Sequence, residues 1–274
     1  NLYNMEKKRF IVAHCFNTFE NKTISQRFMR TEHLPFPMPE RKFSLQQNWV
    51  DLTFMHWEVD PEILRKHIPK DLEIELFEGK AYVGTIPFKM EKVRPRNLPS
   101  ISMISNFPEF NIRTYVKKNG KGGVFFLTLD AQSHITCKYA PLVYGLPYEY
   151  AKCDFSINKK GEYLWASKRI SNGIKLEGKS IAHGPLMKAN KGSLEEFLFE
   201  RYCLYVEKKG ITYRAYTCHE PWEFQNAHVE IKENSLTEFY DLGIKNLLNP
   251  DLVHVSKGVD VLTWNIQSTV NENE

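Results

Sequence analysis

Residues 107–116 read Phe-Pro-Glu-Phe-Asn-Ile-Arg-Thr-Tyr-Val, and they indicate the fold class because they alternate with the two-residue period of a β-strand. One face of this strand carries Phe110, Ile112, Thr114 and Val116. The other face carries a carboxylate, an amide, a guanidinium and a phenol, on Glu109, Asn111, Arg113 and Tyr115. A solvent-facing strand usually carries simple charge, so this mixture predicts the wall of a polar cavity. The alternative is an ordinary antiparallel strand with its polar side in water.

The composition is that of a globular protein large enough to bury a full core. The chain has 274 residues, of which 42% are hydrophobic and 13% aromatic, which suits the wide interior faces of a β-rich fold. Its 37 basic and 33 acidic residues leave a net charge of only +4. This small excess predicts neither a nucleic acid nor a membrane surface as a partner.

The cysteines and the hydropathy pattern favour a cytoplasmic location. The five cysteines are scattered, without a Cys-x-x-Cys pair or a zinc-like spacing, which is typical of reduced thiols. The sequence has no apolar run of about eighteen residues, and its amino terminus lacks the hydrophobic region of a signal peptide. We therefore expect a soluble protein that is not exported.

Turn and breaker residues divide the chain into three parts. Residues 1–44 are predicted to be an N-terminal arm, because the proline-punctuated segment 33–40 resists both helix and sheet. Residues 45–267 are predicted to form one β-rich domain, and residues 268–274 a polar tail. Within the domain, alternation and turn signals predict strands at 49–57, 72–77, 81–88, 107–116, 123–129, 202–207, 211–217, 228–232 and 259–267.

Three short helices are expected between these strands. Asp60 and Pro61 are typical of an N-cap and a first helical residue. Helical spacing of apolar residues predicts a second helix over 131–144. Ser193, followed three residues later by a glutamate, predicts a capping box and a third helix over 193–201.

Many short motifs follow one another along residues 45–267. They are Trp49…Phe54-Met-His-Trp57, Asp60…Pro69, Leu72-Glu-Ile74, Gly79-x-Ala-x-Val83, Pro87-Phe88, Arg94-Pro-Arg96, Glu109-x-Asn-x-Arg-Thr-Tyr-Val116, Leu129-Asp-Ala131, Gly145-Leu-Pro-Tyr148 and Gly258-Val-Asp-Val261. In this order they resemble the YqjF-like family of uncharacterised bacterial proteins and, more distantly, the acetoacetate decarboxylase superfamily. The resemblance implies a mainly β (α+β) fold: a curved, mostly antiparallel, β-barrel-like core with a central ligand cavity, a few peripheral helices and the N-terminal arm.

The distant resemblance also implies a chemical test. Acetoacetate decarboxylase forms a Schiff base through a lysine whose pKa is lowered by an adjacent cation. Tyr148 and Glu149 stand where the two lysines would be, so decarboxylation of a β-keto acid by that route is not expected. Lys89 or Lys152 would have to reach the cavity from another strand to replace the missing nucleophile.

By the same resemblance, Glu109 and Tyr148 would face one cavity, and we predict both as catalytic. Glu109 would accept a proton, and the hydroxyl of Tyr148 would stabilise a developing oxyanion. The competing interpretation is that Glu109 and Arg113 form a structural ion pair. We expect no cofactor and no metal site, since the histidines lack ligand spacing. The predicted substrate-binding residues are Asn111, Arg113, Tyr115, His56 and Arg94.

The sequence leaves the function class open. One class is a protein that binds a small anionic organic molecule, and that could act as a lyase or hydrolase through acid–base chemistry on a keto or hydroxy acid. A second is a non-catalytic ligand-binding or sensing module, whose N-terminal arm could mediate assembly into a homo-oligomer. A third, a barrel that only scaffolds a complex, predicts an interior filled with side chains.

Overall fold

A single curved β-sheet holds most of residues 30–270, the part of the chain that the computed structural model describes. Residues 1–29 and 271–274 lie outside the described residues, and with them most of the predicted arm and part of the predicted tail. All elements below belong to the compact unit that begins at Pro35. The strands are β1 (Leu45–Val59), β2 (Glu73–Ile74), β3 (Ala81–Pro95), β4 (Phe107–Lys118), β5 (Lys121–Ala131), β6 (Tyr148–Ile157), β7 (Tyr163–Arg169), β8 (Lys175–Lys188), β9 (Cys203–Lys208), β10 (Ile211–Cys218), β11 (Glu223–Asn234), β12 (Leu252–Thr263) and β13 (Gln267–Ser268).

The helices are few and short. None of those in the described residues is long and apolar enough to cross a membrane. They are α1 (Pro61–Leu64), which a 3-10 turn at Arg65–His67 continues, α2 (Ser102–Ser105), α3 (His134–Tyr144), α4 (Leu194–Phe199) and α5 (Ser235–Glu238).

The sheet curls because strands far apart in its order also pair with each other. Its order is β13-β10-β9-β5-β6-β7-β8-β11-β12-β1-β3-β4-β2, with additional pairings of β10 with β12 and of β4 with β5. Among the described strands, β5 runs parallel to β6 and to β9, and the other pairs are antiparallel. This mainly antiparallel, curved sheet with few helices confirms the predicted fold class.

Several local predictions are confirmed. Asn119 and Gly120 both have positive φ angles, of 52° and 71°, as a tight hairpin turn between β4 and β5 requires. Asp60 caps α1 by accepting a hydrogen bond from the backbone N–H of Glu62 at 2.8 Å. Gly145 ends α3 in the left-handed conformation at φ 71°.

Other boundaries differ from the predictions. The predicted strand 72–77 is paired only at Glu73–Ile74, whereas β3 continues beyond residue 88 to Pro95. The predicted helix 131–144 starts at His134, because β5 extends to Ala131. No strands are predicted over residues 148–188, where β6, β7 and β8 lie.

The capping box at α4 is only half formed. Ser193 accepts a hydrogen bond from the backbone N–H of Glu196 at 3.2 Å, as predicted. The Glu196 carboxylate accepts a hydrogen bond from the backbone N–H of Gly192 at 2.5 Å, and not from that of Ser193. The helix ends at Phe199, two residues earlier than expected.

Helix α4 supplies part of the core inside the curved sheet. Leu198 and Phe199 are buried, and the Phe199 ring lies 4.8 Å from the rings of both Phe54 and Phe224. Full burial of such a side chain contributes about 1.5–3 kcal/mol. This packing fixes α4 against the sheet and places Phe199 at the edge of the cavity described next.

Candidate active site

The curved sheet encloses a cavity of about 690 Å³. Most of its wall is apolar, and the residues from β3, β4 and β5 that form this part include Ile86, Phe88, Met90, Phe107, Val124 and Leu129. A cavity of this size lies in the range used for small-molecule sites. The interior is therefore not filled by side chains, which argues against the scaffold interpretation.

The polar face of β4 forms part of the cavity wall. Glu109, Asn111 and Arg113 line the cavity, and they are only 2%, 5% and 7% exposed. The alternative of a strand with its polar side in water is therefore wrong. Burial on both faces explains why the strand carries polar groups of four chemical types instead of the simple charge of a wetted surface.

Glu109 and Tyr148 meet inside this cavity. The Tyr148 hydroxyl donates a hydrogen bond to Oε2 of Glu109 at 2.7 Å. Tyr148 is the first residue of β6, which follows the turn after Gly145 and pairs with β5 at Leu129. Because β5 also pairs with β4, this register brings the tyrosine to the same space as the carboxylate. The structure thus brings the two predicted catalytic residues together.

The environment of Glu109 brings the pKa of its carboxyl close to neutral pH. Burial raises the pKa of its carboxyl from 4.5 to about 7, while hydrogen bonding from Tyr148 and from Asn111 opposes that increase. Burial and the nearby Glu109 charge raise the pKa of Tyr148 well above its usual value, so its hydroxyl stays a donor. At pH 7 the carboxyl therefore exists in comparable acid and base forms, as proton transfer requires.

Arg113 lies in the same wall without an acidic partner. Its Nη2 donates to the backbone oxygen of Leu198 at 2.9 Å, and its Nε has no hydrogen-bond partner within residues 30–270. The guanidinium also lies 5.7 Å from the ring centres of Phe54 and Tyr115. Glu109 and Arg113 form no ion pair among the described residues, so the interpretation of a structural pair is wrong. A buried cation of this kind can hold the carboxylate of a ligand.

Two predicted binding residues lie outside the cavity lining. Nε2 of His56 and the hydroxyl of Tyr115 are 2.7 Å apart, and neither side chain is among the described residues that line the cavity. Burial, followed by the charges of Arg113 and His254, lowers the pKa of His56 well below its usual value. For Tyr115 the physical reason is length, because it lies about 20 Å along β4 from Glu109. His56 lies on β1, and the Phe199 ring, which lines the cavity, packs 6.1 Å from its ring. The prediction that they face the ligand is corrected.

Arg94 lies at the other end of the site. It is in β3, lines the cavity, and donates from Nη1 to the backbone oxygen of Lys92 at 2.9 Å. Its side chain is half-buried. The predicted binding residue is therefore at the wall of the cavity, although in a strand instead of the loop that its prolines suggested.

Arg201, His219 and Trp222 also line the cavity, and none of them is among the predicted site residues. Nη1 of Arg201 pairs with Oε2 of Glu75 at 2.6 Å, and its guanidinium lies 4.3 Å from the ring centre of Phe197. The His219 ring nitrogens face backbone oxygens at 2.8 and 3.3 Å. No spacing in the sequence marks these residues, because they come from loops that the fold brings to β4.

The lysines considered for a Schiff base are not at the site. Lys89 pairs with Asp51 at 2.8 Å, and Lys152 is exposed on β6. The described residues that line the cavity include no lysine. Within residues 30–270, no group of three or more His, Cys, Asp and Glu side chains is placed to hold a metal ion. The polar groups at the site include a carboxyl, a phenol, an amide, an imidazole and guanidinium groups.

Solved structures with the same fold are acetoacetate decarboxylase-like. Acetoacetate decarboxylase from Legionella pneumophila has a TM-score of 0.60 and 13% identity, covering 87% of this chain and 93% of that one. The enduracididine biosynthesis enzyme MppR, complexed with pyruvate, has a TM-score of 0.56 and 12% identity over 88% and 95% of the two chains. An acetoacetate decarboxylase-like enzyme from Sphingomonas wittichii RW1 has a TM-score of 0.56 and 10% identity, covering 86% of this chain and 97% of that one. At these identities the likeness establishes the fold.

Sequence similarity establishes the family. The chain is 36% identical over 231 residues to the uncharacterized protein YqjF of Bacillus subtilis (strain 168), which covers 83% of this chain and 93% of that protein. The sequence pattern of DUF2071, described as an uncharacterized conserved protein, matches residues 46–260. The resemblance inferred from the short motifs is confirmed, and the chain belongs to the DUF2071 family.

Proposed function

We propose that this protein is an enzyme that binds a small organic anion, a keto or hydroxy acid. It moves a proton at the carbon next to the one that carries the keto or hydroxyl oxygen. The observation that carries the proposal is the Glu109 carboxyl. It is buried in the cavity wall, has a pKa of about 7, and accepts a hydrogen bond from Tyr148. A carboxyl with these properties can serve as both base and acid at neutral pH.

Each polar group has one role in the proposed reaction. The ionised Glu109 takes a proton from the carbon next to a ketone, and the electron pair of the broken C–H bond moves to the ketone oxygen to form an enolate. The hydroxyl of Tyr148 then turns from Glu109 to that oxygen and stabilises its charge. Return of the proton from Glu109 to carbon completes an exchange, and expulsion of a leaving group from the enolate gives an elimination.

Arg113 supplies the charge that selects an anion. Its guanidinium is buried, and its Nε has no protein partner within residues 30–270. A carboxylate on the ligand would give this cation the acidic partner that residues 30–270 do not provide. The neighbouring solved structures agree with this class of ligand, since MppR binds pyruvate in one of them.

The proposal needs no Schiff base, and this distinguishes it from decarboxylation through a lysine. The wall of the cavity carries no lysine among its described residues, and Tyr148 takes the position that the resemblance assigns to a catalytic lysine. Borohydride treatment in the presence of acetoacetate or pyruvate should therefore leave the mass of the protein unchanged. A stable adduct on Lys89 or Lys152 would contradict the proposed chemistry.

Exchange of solvent deuterium into a panel of short keto acids tests the proposal. NMR should detect exchange catalysed by the wild-type protein, and Glu109→Gln should lower the rate by about 10²–10⁴-fold, the usual contribution of general acid–base catalysis. Tyr148→Phe should lower it by roughly 10²–10³-fold. The matched controls are Glu91→Gln and Tyr213→Phe, which remove the same groups at positions outside the cavity lining. Binding without exchange across the whole panel would make the protein a non-catalytic ligand-binding module instead.

A further inference from the structure

We infer that the ligand of this cavity is an amphipathic carboxylate, with its charged head at the polar end of β4 and an unbranched or aromatic apolar tail along β3 and β4 toward the surface. This inference rests on the proposed function and specifies its substrate class. It comes from three features of the cavity that a short keto acid leaves unexplained: its volume, the direction of its polarity and its apolar mouth.

The cavity is too large for a short keto acid alone. Its volume is about 690 Å³. A water-sized group takes about 30 Å³, so the cavity has room for roughly 20 such groups, several times the number of non-hydrogen atoms in pyruvate or acetoacetate. A ligand that left most of an apolar cavity empty would gain little from burial, because binding of this kind grows with the apolar area that is covered.

The polarity of the cavity changes in one direction along the paired strands β3 and β4. At one end Arg113 and Asn111 line it, and Asn111 pairs with Ile86. Glu109 follows, opposite Phe88, and from Phe107, which pairs with Met90, the wall along these strands is apolar apart from the half-buried Arg94 further along β3. From Arg113 to Phe107 the strand rises about 20 Å. A ligand lying along this wall would have its carboxylate at Arg113, its reacting carbon beside Glu109 and its apolar part beyond Phe107.

The apolar end of this path opens at the surface between two elements. On one side Leu98, Ile101 and Ile104 lie in and before α2, and they are 56%, 58% and 42% exposed. On the other side Ile135 and Tyr139 of α3 are 56% and 53% exposed. All five line the cavity. A soluble protein rarely clusters large apolar side chains in water without a use, and an entrance for an apolar tail supplies one.

A chain-length series tests the inference by isothermal titration of the full chain with butanoate, octanoate and dodecanoate. Each added methylene should tighten binding about fourfold while it still finds space, which is about 0.8 kcal/mol per buried methylene. Octanoate, with four more methylenes, should thus bind roughly 250-fold tighter than butanoate. Arg113→Met should weaken all three acids, and octanol should bind more weakly than octanoate.

A variant pair on α3 locates the tail. Ala140 is buried and lines the cavity, so Ala140→Phe should shorten the chain length at which affinity stops rising. Leu142, 74% exposed on the same helix and outside the lining, provides the control Leu142→Phe, which should change nothing. If Ala140→Phe does not fold, Ile101→Asp at the exposed mouth should weaken dodecanoate and leave butanoate unchanged.

The outcomes separate this inference from the proposed function. Equal affinity for butanoate and octanoate, with butanoate binding lost in Arg113→Met, would overturn the amphipathic ligand and leave the proposed anion site intact. Octanol binding as tightly as octanoate, in wild type and in Arg113→Met, would overturn the placement of the head. Absence of binding by all acids together with absence of deuterium exchange would overturn both.

Discussion

Of two acid and arginine combinations buried in the same sheet, only one forms an ion pair. On β5 and β7, Asp130 and Arg169 form an ion pair at 2.5 Å, and further bonds from Nε of Arg169 reach both carboxylate oxygens at 3.1 and 3.2 Å. Nη2 of Arg169 also donates to Thr128 at 2.8 Å. On β4, Glu109 and Arg113 do not pair with each other, and each keeps a neutral protein partner.

The difference distinguishes a structural charge from one that is available to a ligand. Asp130 and Arg169 satisfy each other, so neither has capacity left for a ligand, although burial still raises the pKa of Asp130. Glu109 has a phenol as its hydrogen-bond donor, and Arg113 has a backbone oxygen as its acceptor. Glu109 and Arg113 lie in the wall of the cavity, whereas Asp130 and Arg169 do not belong to its described lining.

The same substitution at the two buried arginines should give the largest contrast. Arg169→Met leaves the Asp130 carboxylate buried without its cation, which should lower the free energy of unfolding by about 3–5 kcal/mol. Arg113→Met removes one hydrogen bond to a carbonyl and strands no carboxylate, so it should cost roughly 1 kcal/mol. Urea denaturation of both variants measures these values. Equal losses would show that Arg113 is a structural charge like Arg169.

The next largest effect that we expect is a pH dependence of stability caused by the Glu109 carboxyl. Its pKa is about 7 in the folded protein against 4.5 normally, so the folded state binds more protons than the unfolded state between these values. The contribution of Glu109 to stability is therefore greatest below pH 4.5, falls as the pH rises through 7, and is constant above it. The shift corresponds to about 3 kcal/mol, at 1.36 kcal/mol for each pKa unit.

Glu109→Gln isolates this contribution, because the difference between wild type and variant removes the titration of every other group. Denaturation at a series of pH values should show that the variant lacks the decline between pH 4.5 and 7. If wild type and Glu109→Gln have parallel stability profiles, the carboxyl titrates as an ordinary surface group.

Tyr148→Phe should have the smallest effect on binding and a diagnostic effect on titration. The lost hydrogen bond is worth roughly 0.5–1.5 kcal/mol, so ligand affinity should stay within about tenfold. That bond lowers the pKa of Glu109, so its removal should raise this pKa and move the acid limb of the exchange profile, where the rate rises as Glu109 ionises, to higher pH. Tyr213→Phe, outside the cavity lining, should leave the profile in place, and a shift to lower pH in Tyr148→Phe would contradict the assigned hydrogen bond.

The sequence predicted the polar wall well because the information was local. The two-residue alternation on β4 identifies Glu109, Asn111 and Arg113 without knowledge of any neighbour. The same alternation wrongly included Tyr115, since it reports which face a residue is on and not how far the cavity extends along the strand. The partnership of Glu109 with Tyr148 came from the family resemblance, because residues 39 positions apart share no local pattern.

The parts of the site and of the fold that were not predicted from the sequence depend on tertiary structure. Arg201 reaches the cavity only because α4 packs against the inside of the sheet, and its pairing with Glu75 spans 126 positions. The absence of an ion pair between Glu109 and Arg113 could not be read from their spacing, since two residues on one strand face can pair or point to different partners. The strands over residues 148–188 were missed, although burial alternates along Tyr163–Arg169.

Titration of the Glu109 carboxyl tests the central claim most directly. Carbon-13 NMR of protein labelled at glutamate side-chain carboxyls, with Glu109→Gln to assign the signal, measures its pKa in the folded protein. We predict a pKa of about 7, raised from 4.5 by burial in the cavity wall. A value near 4.5 would contradict the account, because Glu109 would then be a fully ionised carboxylate at neutral pH and a poor proton acceptor.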